Sequence, residues 1–237
     1  MKIPQSNIDY IQNVVKTVQT VGMDKVAIES GVVRGVTDDK TVFILQTENV
    51  PTFEFGSIGI SKLPVFQNRL NIVREQSNFS VEASSIKNTS EGSYVHTLTM
   101  RAAGIKVDFT CCNPKILMGV REFRDQMKVE IDLDPEIVKV LQRGINAMGG
   151  KMITIVNNEK ETFFEVLDDS NDVFKYTLPT KCIPLIENVD PSFVFRYPAD
   201  VILSLFKQNP EGSFRVGNRG ILNVAVNNLN MYVMQRV

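Results

Sequence analysis

Apolar residues recur at helical spacing in two long stretches of the chain. Residues 7–21 carry apolar side chains three or four positions apart, which is typical of one buried helix face. A second such stripe follows Asp134-Pro135-Glu136, a helix-start pattern, and ends at Gly149-Gly150. Shorter helices are predicted at 61–74 and 198–208, so we expect four helices.

Between these helices the apolar and polar positions alternate with a period of two, and turn residues bound each run. This alternation is typical of strands that bury one face. Hairpin turns are predicted at 38–40 and 227–228, where Asp, Lys and Asn residues cluster. The predicted strands include 42–45, 53–55, 105–109, 152–156, 193–195 and 231–233.

The order of these elements repeats: helix, strands, helix, strands, and then the same series again. The first helices match at an offset of 127, the second helices at 140 and the last hairpins at 124. The second offset equates Phe55 with Phe195. Offsets differ because loops of different length are tolerated at low free-energy cost. We predict a duplicated α+β fold with domains at 1–112 and 127–237, joined by a connector at 113–126.

The connector is more apolar than an ordinary linker. It contains Pro114 and Gly119 and shows no clear period, so neither a helix nor a strand is predicted. Some of its apolar side chains must lie over the body of the protein, either as core packing or as part of a peptide-binding site. Those side chains are Ile116, Leu117, Met118, Val120 and Phe123.

Composition excludes several classes of protein. No run of 18 apolar residues exists, and the first nine residues are polar, so we expect an intracellular protein with no membrane span and no secretion signal. Three cysteines without a CxxC spacing argue against a disulfide framework or a zinc site. The one histidine, His96, lies in an alternating run, and nothing near it supports nucleophilic catalysis. We expect no metal, no cofactor and no catalytic residues.

Charge is divided unevenly along the chain. The net charge is -1, but residues 6–21, 61–74, 136–151 and 198–208 together carry +5, so the remainder carries -6. Helix faces that are rich in Lys, Arg, Gln and Asn suit phosphate contacts that carry no sequence information. The candidate DNA-facing residues are Lys16, Lys62, Arg69, Arg74, Lys139, Gln142, Arg143, Asn146 and Lys207.

The chain resembles the sliding clamp family, which includes proliferating cell nuclear antigen and the tailed-phage clamps. The resemblance covers the full length. It rests on the duplicated plan, the apolar connector and the ending Leu229-Asn230-Met231-Tyr232-Val233, which is similar to the family's last strand. The length is similar to that of subunits that form trimers. The compact layout looks more like a phage or viral clamp than a cellular one, which would place the protein in the host cytoplasm; a cellular clamp would act at the chromosome.

The resemblance implies a specific assembly and specific partners. Three subunits would close head to tail into a ring around double-stranded DNA, with helices lining the hole. The strand at 105–111 would pair with a neighbour's strand near 172–178. A DNA polymerase and a clamp loader would be the protein partners. Their peptides would bind between the connector and the last strand, including Tyr232 and Met234.

Two other function classes remain open at this stage. One is a structural or virion protein that oligomerises without DNA, which a duplicated fold would also suit. The other is a two-lobed α+β enzyme, which would need carboxylates assembled from distant residues. The acid-poor helix faces favour the clamp, because a purely structural protein has no need of them.

Overall fold

The computed structural model describes residues 1–90, 92–117, 124–158, 160–179, 182–187 and 189–236. The chain divides into two compact units, Met1–Glu122 and Phe123–Val237. The dividing point falls inside the span predicted for the connector. Among the described residues, no helix is both long enough and apolar enough to cross a membrane.

The first unit contains two helices packed on antiparallel strands. The elements are α1 (Gln5–Gln19), β1 (Lys25–Glu29), β2 (Val32–Val36), β3 (Val42–Gln46), β4 (Ile58–Ser61), α2 (Leu63–Arg74), β5 (Ser80–Thr89), β6 (Gly92–Ala102), β7 (Ile105–Thr110) and a 3-10 turn at Pro114–Ile116. The strands pair in the orders β3-β2-β1-β4 and β5-β6-β7.

The second unit repeats this plan. The elements are β8 (Met127–Asp132), α3 (Pro135–Met148), β9 (Met152–Asn157), β10 (Thr162–Leu167), β11 (Val173–Thr177), β12 (Ile183–Pro184), β13 (Phe193–Pro198), α4 (Ala199–Gln208), β14 (Ser213–Gly217), β15 (Ile221–Val226) and β16 (Leu229–Met234). The strands pair antiparallel in the orders β11-β10-β9-β13 and β12-β8-β14-β15-β16.

The predicted duplication is confirmed at the level of strand register. In the β6–β7 hairpin Ala102 lies opposite Ile105, and in the β15–β16 hairpin Val226 lies opposite Leu229. These are the pairs that the sequence offset equates. Both hairpins turn on two residues, and the predicted turn at Asn227-Asn228 adopts left-handed φ angles of 49° and 64°.

The strand part of one predicted block is wrong by three residues. Ile28 of β1 pairs with Ile58, and the equivalent residue of β9 pairs with Phe195, so Phe195 corresponds to Ile58 instead of Phe55. The predicted strand at 53–55 is absent, because a turn closes there through a hydrogen bond from Gly56 N to Phe53 O of 3.2 Å. Phe53 and Phe55 are both buried. Their alternation therefore reflects two rings packed side by side in the core.

The helices begin and end where local chemistry dictates. The Asp134 carboxylate accepts a hydrogen bond from Glu136 N at 2.6 Å and caps α3, and Pro135 opens its first turn. After α1 and α3 the chain reverses through Gly22 and Gly149, whose φ angles are 79° and 61°. Glycine suits these positions because other residues are strained in the left-handed region.

In each unit the helices bury their apolar stripe against a sheet and turn a polar face to solvent. Phe66 of α2 meets Phe109 of β7 edge to face, with 5.1 Å between ring centroids. Phe206 of α4 packs on Phe214 of β14 at 5.0 Å and on Phe164 of β10 at 6.3 Å. The two helices of each unit also touch each other. This arrangement leaves a pair of helix faces exposed on each unit.

Candidate nucleic-acid interface

A polar groove runs between α1 and α2 on the exposed side of the first unit. Gln12 lies outside the apolar stripe that the sequence shows at 7–21, yet it is buried, and its Nε2 donates to Asn71 Oδ1 at 3.3 Å. The bond from Gln12 to Asn71 joins α1 to α2, and Gln67 Nε2, also on α2, donates to the same oxygen at 2.8 Å. The groove has a volume of about 430 Å³ and is lined by Asp9, Gln12, Asn13, Lys16, Asn71, Arg74 and Glu75.

Two predicted DNA-facing cations line this groove, and they differ in their surroundings. Lys16 is exposed, and its ammonium makes no ion pair with any described residue. Arg74 Nη2 forms an ion pair with Asp9 Oδ1 at 2.7 Å, and its guanidinium lies 5.9 Å from the centre of the Phe79 ring. The Asp9 carboxylate therefore offsets part of the positive charge in the groove.

Arg69 takes a different position from the one predicted. Its Nη1 donates to the Asp108 carbonyl oxygen at 2.9 Å, and its guanidinium lies 5.7 Å from the centre of the Phe109 ring. Both contacts are on β7, so the side chain reaches from α2 over the edge of the sheet. Helical periodicity alone placed Arg69 with the DNA-facing residues; a long side chain can reach past that face to a neighbouring strand.

Lys62 and Lys207 lie at the ends of their helices. Lys62 is the residue before α2, where it adopts a left-handed conformation with φ of 59°, and its side chain is exposed. Lys207 is exposed in the last turn of α4, where a cation complements the negative end of the helix dipole. Neither ammonium makes an ion pair with the residues that the structure describes.

The predicted face of α3 is exposed as a unit. Lys139, Arg143 and Asn146 are exposed and Gln142 is half-buried, as their spacing requires. Lys139 Nζ lies 3.6 Å from Glu136 Oε2, three positions earlier, in an exposed pair that contributes little to stability. Arg143 has no such pair within the described ranges, so its guanidinium is available to an anion.

The observed helix bounds reduce the charge surplus that the sequence suggested. Within these bounds α1 and α4 carry no net charge, α2 carries +2 and α3 carries +1, giving +3 in place of +5. The difference comes from Lys62 and Lys151, which lie just outside helices. The helix faces remain net positive in a chain whose total charge is -1.

The beginning of the connector is attached to the first unit. Cys112 N donates to Gly59 O at 2.9 Å, and the Asn113 side chain accepts from Lys115 N at 3.0 Å. Pro114 is buried, whereas Ile116 is 70% exposed and Leu117 is half-buried. The other predicted partner-binding residues of this segment, Met118, Val120 and Phe123, lie outside the described residues.

The last strand supplies the remaining predicted partner-binding residues. Tyr232 is half-buried on β16, and Met234 is 37% exposed at its end. Beyond the strand, Arg236 N donates to Arg196 O of β13 at 2.8 Å. The strand therefore ends in an ordered segment that carries one exposed apolar side chain.

Three groups with shifted pKa values lie on α1, on β7 and directly after β7, and none of the three is a predicted DNA-facing side chain. Burial raises the pKa of the Cys111 thiol to about 12, and burial likewise raises the pKa of Tyr10 to about 12. Hydrogen bonding from Thr99, followed by Lys106, lowers the pKa of the Asp108 carboxyl. Within the described ranges, no group of three or more His, Cys, Asp or Glu side chains is arranged so that it could hold a metal ion.

Sequence comparison finds no protein-family model and no curated protein that matches the chain. Structural comparison finds clear similarity to solved structures. The PCNA of A. fulgidus, solved with the C-terminal region of FEN-1 bound, aligns at a TM-score of 0.62 and 11% identity, covering 97% of this chain and 96% of that one.

Two further structures extend this likeness. The PCNA2–PCNA3 complex of Sulfolobus tokodaii aligns at a TM-score of 0.59 and 12% identity, over 97% of both chains. The Helicobacter pylori beta clamp bound to a DNA ligase peptide aligns at 0.67 and 12% identity, over all of this chain and 66% of that one. These likenesses confirm the predicted clamp fold along almost the whole chain.

Proposed function

We propose that this chain, which has the fold of the sliding clamps, is a sliding clamp subunit. It encircles duplex DNA without reading its sequence and tethers a DNA polymerase and other DNA enzymes to the template. The subunit performs no reaction of its own. It acts by raising the local concentration of a tethered enzyme at the DNA.

The observation that carries this proposal is the combination of a duplicated fold with two positive helix pairs. In each unit the exposed faces of the two helices point away from the sheet, and their Lys and Arg residues outnumber their Asp and Glu residues. Contacts between such side chains and DNA phosphates do not depend on the base sequence and are partly mediated by water. They therefore suit a protein that must hold DNA and still slide along it. The DNA-facing set is then Lys16, Lys62, Lys139, Arg143 and Lys207, with Gln142 and Asn146 beside them and Arg74 partly neutralised by Asp9.

Ring closure needs two strand edges on each subunit that can pair with each other. β7 is an edge strand of the first unit and β11 is an edge strand of the second. Head-to-tail pairing of these strands gives a closed ring when the rotation between subunits closes. We propose a homotrimer of this two-unit chain.

Partner peptides dock on the outer surface. Ile116 and Leu117 on the connector, and Tyr232 and Met234 on the last strand, are the described candidates. The A. fulgidus and H. pylori structures contain clamps with a bound protein segment or peptide, which supports docking of short segments as the mode of tethering. A clamp loader and the polymerase are the expected users of this surface.

The test is retention on DNA that has no ends. The protein is loaded on a primed circular DNA with the cognate polymerase and loader, and processivity is compared with that on the same DNA after linearisation. A sliding clamp stimulates synthesis on the circle, is lost from the linear form and degrades neither. Assembly without any stimulation on the circle would instead indicate a structural oligomer, and chemical change of the DNA would indicate an enzyme.

A further inference from the structure

The backbone groups that β7 and β11 leave open to a new strand can be identified residue by residue. Cys111 N donates to His96 O of β6 at 2.8 Å, so the backbone of Cys111 faces β6. Backbone groups alternate along a strand, and therefore those of Lys106, Asp108 and Thr110 face away from β6. The hydrogen bond from Arg69 to the Asp108 carbonyl oxygen shows independently that this carbonyl points outward.

The same argument fixes the direction of β11. Leu178 N donates to Thr162 O at 2.8 Å, so the backbone of Leu178 faces β10. Alternate residues along β11 then face outward, which leaves Val173, Lys175 and Thr177 available for a new strand. Each edge thus offers backbone groups on three alternate residues.

Side chains on these strands identify which sheet face carries the helices. Phe109 packs under α2 through Phe66, and the Phe174 ring lies against Gly144 of α3. Directly opposite residues of an antiparallel pair point to the same face. Any register in which the outward residues meet therefore puts α2 of one copy and α3 of the next on one face of a continuous sheet.

Charge distinguishes the three registers in which at least two pairs of outward residues meet. In one of them Lys106 lies opposite Lys175, which sets two like charges side by side. In another, Thr110 lies opposite Lys175, and the Asp108 carboxylate has no cation opposite it. In the third, Asp108 lies opposite Lys175, and opposite charges meet directly.

We propose that β7 of one copy pairs antiparallel with β11 of the next in the register that sets Asp108 opposite Lys175. This inference rests on the proposed ring assembly and identifies the residues that specify it. The same register brings Phe109 opposite Phe174 on the helix side. An aromatic pair on one face and an ion pair on the other then select one alignment.

Both charged groups can accept this new neighbour. The Asp108 side chain is 49% exposed with Lys106 Nζ at 3.2 Å, and the Lys175 side chain is 41% exposed with Glu161 Oε1 at 2.6 Å. Asp108 is held by Lys106 of its own strand and by Thr99 of β6, whose hydroxyl donates to it at 2.6 Å, and Lys175 is held by Glu161, which precedes β10. An ammonium has three donors, so Lys175 keeps its bond to Glu161 when Asp108 arrives.

The experiment is a charge exchange. Self-association of the full chain is measured by sedimentation equilibrium for the wild type, Asp108→Lys, Lys175→Asp and the double variant. We expect each single variant to associate at least about fivefold more weakly, because like charges then meet, and the double variant to recover most of the loss. Asp38→Lys, which makes the same charge change in an exposed turn away from both edges, should leave association unchanged.

Thermal melts identify variants that fail to fold. If a charge-reversal variant does not fold, the neutral variant Asp108→Asn with Lys175→Gln is measured in its place. With the neutral pair, self-association should lose part of its dependence on salt. Unchanged association in the single variants, or a double variant no better than the singles, would overturn the register. Polymerase stimulation is scored separately, so assembly in this register without stimulation refutes the function alone. A wild-type chain that stays monomeric at high concentration refutes both.

Discussion

Gly144 of α3 lies directly against the ring of Phe174 on β11, so closely that a methyl group at position 144 would overlap the ring. This contact joins the buried side of α3 to the edge strand β11 of the sheet. Glycine inside a helix is normally less favourable than alanine by about 1 kcal/mol. Its presence here is explained by the close approach of the strand.

Gly144→Ala should therefore destabilise the protein, against the usual trend for helical glycine. Overpacking of a filled site costs about 1–3 kcal/mol, which exceeds the gain in helix propensity. Urea denaturation measures the effect as a lower midpoint. Phe174→Leu in the same chain should relieve the overlap and restore part of the loss. A stabilised Gly144→Ala variant would mean that β11 does not pack on α3 as described.

Arg69 gives a second prediction, which concerns assembly. Its guanidinium holds the outward carbonyl of Asp108, which an incoming strand needs as an acceptor. Arg69→Met should therefore strengthen self-association by a few fold, because no hydrogen bond has to be displaced. Arg74→Met is the matched control, since Arg74 lies on the same helix and contacts Asp9 and Phe79 but not β7. Equal effects of the two variants would indicate a general charge effect.

The elements that the sequence predicted well are those whose pattern is local. The stripe from Ile137 to Met148 and the hairpin around Asn227-Asn228 follow from periodicity and turn chemistry within a few residues. The register of that hairpin also followed, because a two-residue turn fixes it. Local agreement of this kind explains why the duplication could be predicted without any structure.

The errors come from contacts between distant segments. Gln12 is buried because Asn71, on another helix, satisfies its amide. Phe53 and Phe55 suggested a strand, but the turn at Gly56 packs their rings in the core. Arg69 lies on α2 but contacts β7, a strand that helical periodicity does not describe. Each error therefore reflects a long-range partner that outweighs the local pattern.

The face of α3 gives a third prediction, on DNA retention. Lys139→Ala with Arg143→Ala should lower retention on circular DNA and reduce the dependence of binding on salt, by about one unit of logarithmic slope for each lost phosphate contact. Thermal stability should hardly change, because both side chains are exposed. Lys87→Ala with Lys160→Ala removes two exposed charges from a strand and a loop and should have little effect. Equal losses in the two variants would contradict the helix-face assignment.

Cys111 gives a fourth prediction, on pH. Burial raises the pKa of its thiol from 9.0 to about 12, so the folded state binds this proton more tightly than the unfolded state. The stabilisation is full below pH 9 and is lost as pH rises toward 12, at a rate of up to about 1.4 kcal/mol per pH unit. Cys111→Ala should make the urea midpoint fall less steeply over this window than in the wild type. Equal slopes would place the thiol in contact with solvent.

The connector gives the last prediction, on partner binding. Ile116 is 70% exposed on a turn whose backbone is fixed by Pro114 and by the Asn113 cap, so the side chain is presented in one position and needs no ordering when a ligand binds. Ile116→Ser with Leu117→Ser should weaken binding of the cognate polymerase's C-terminal peptide by about tenfold, as expected for loss of an apolar anchor worth about 1–2 kcal/mol. Val194→Ser removes a similarly exposed apolar side chain, 64% exposed on β13, and should leave the peptide affinity unchanged. Isothermal titration measures both affinities, and sedimentation checks that assembly is intact. Unchanged affinity in an intact assembly would remove Ile116 and Leu117 from the docking site.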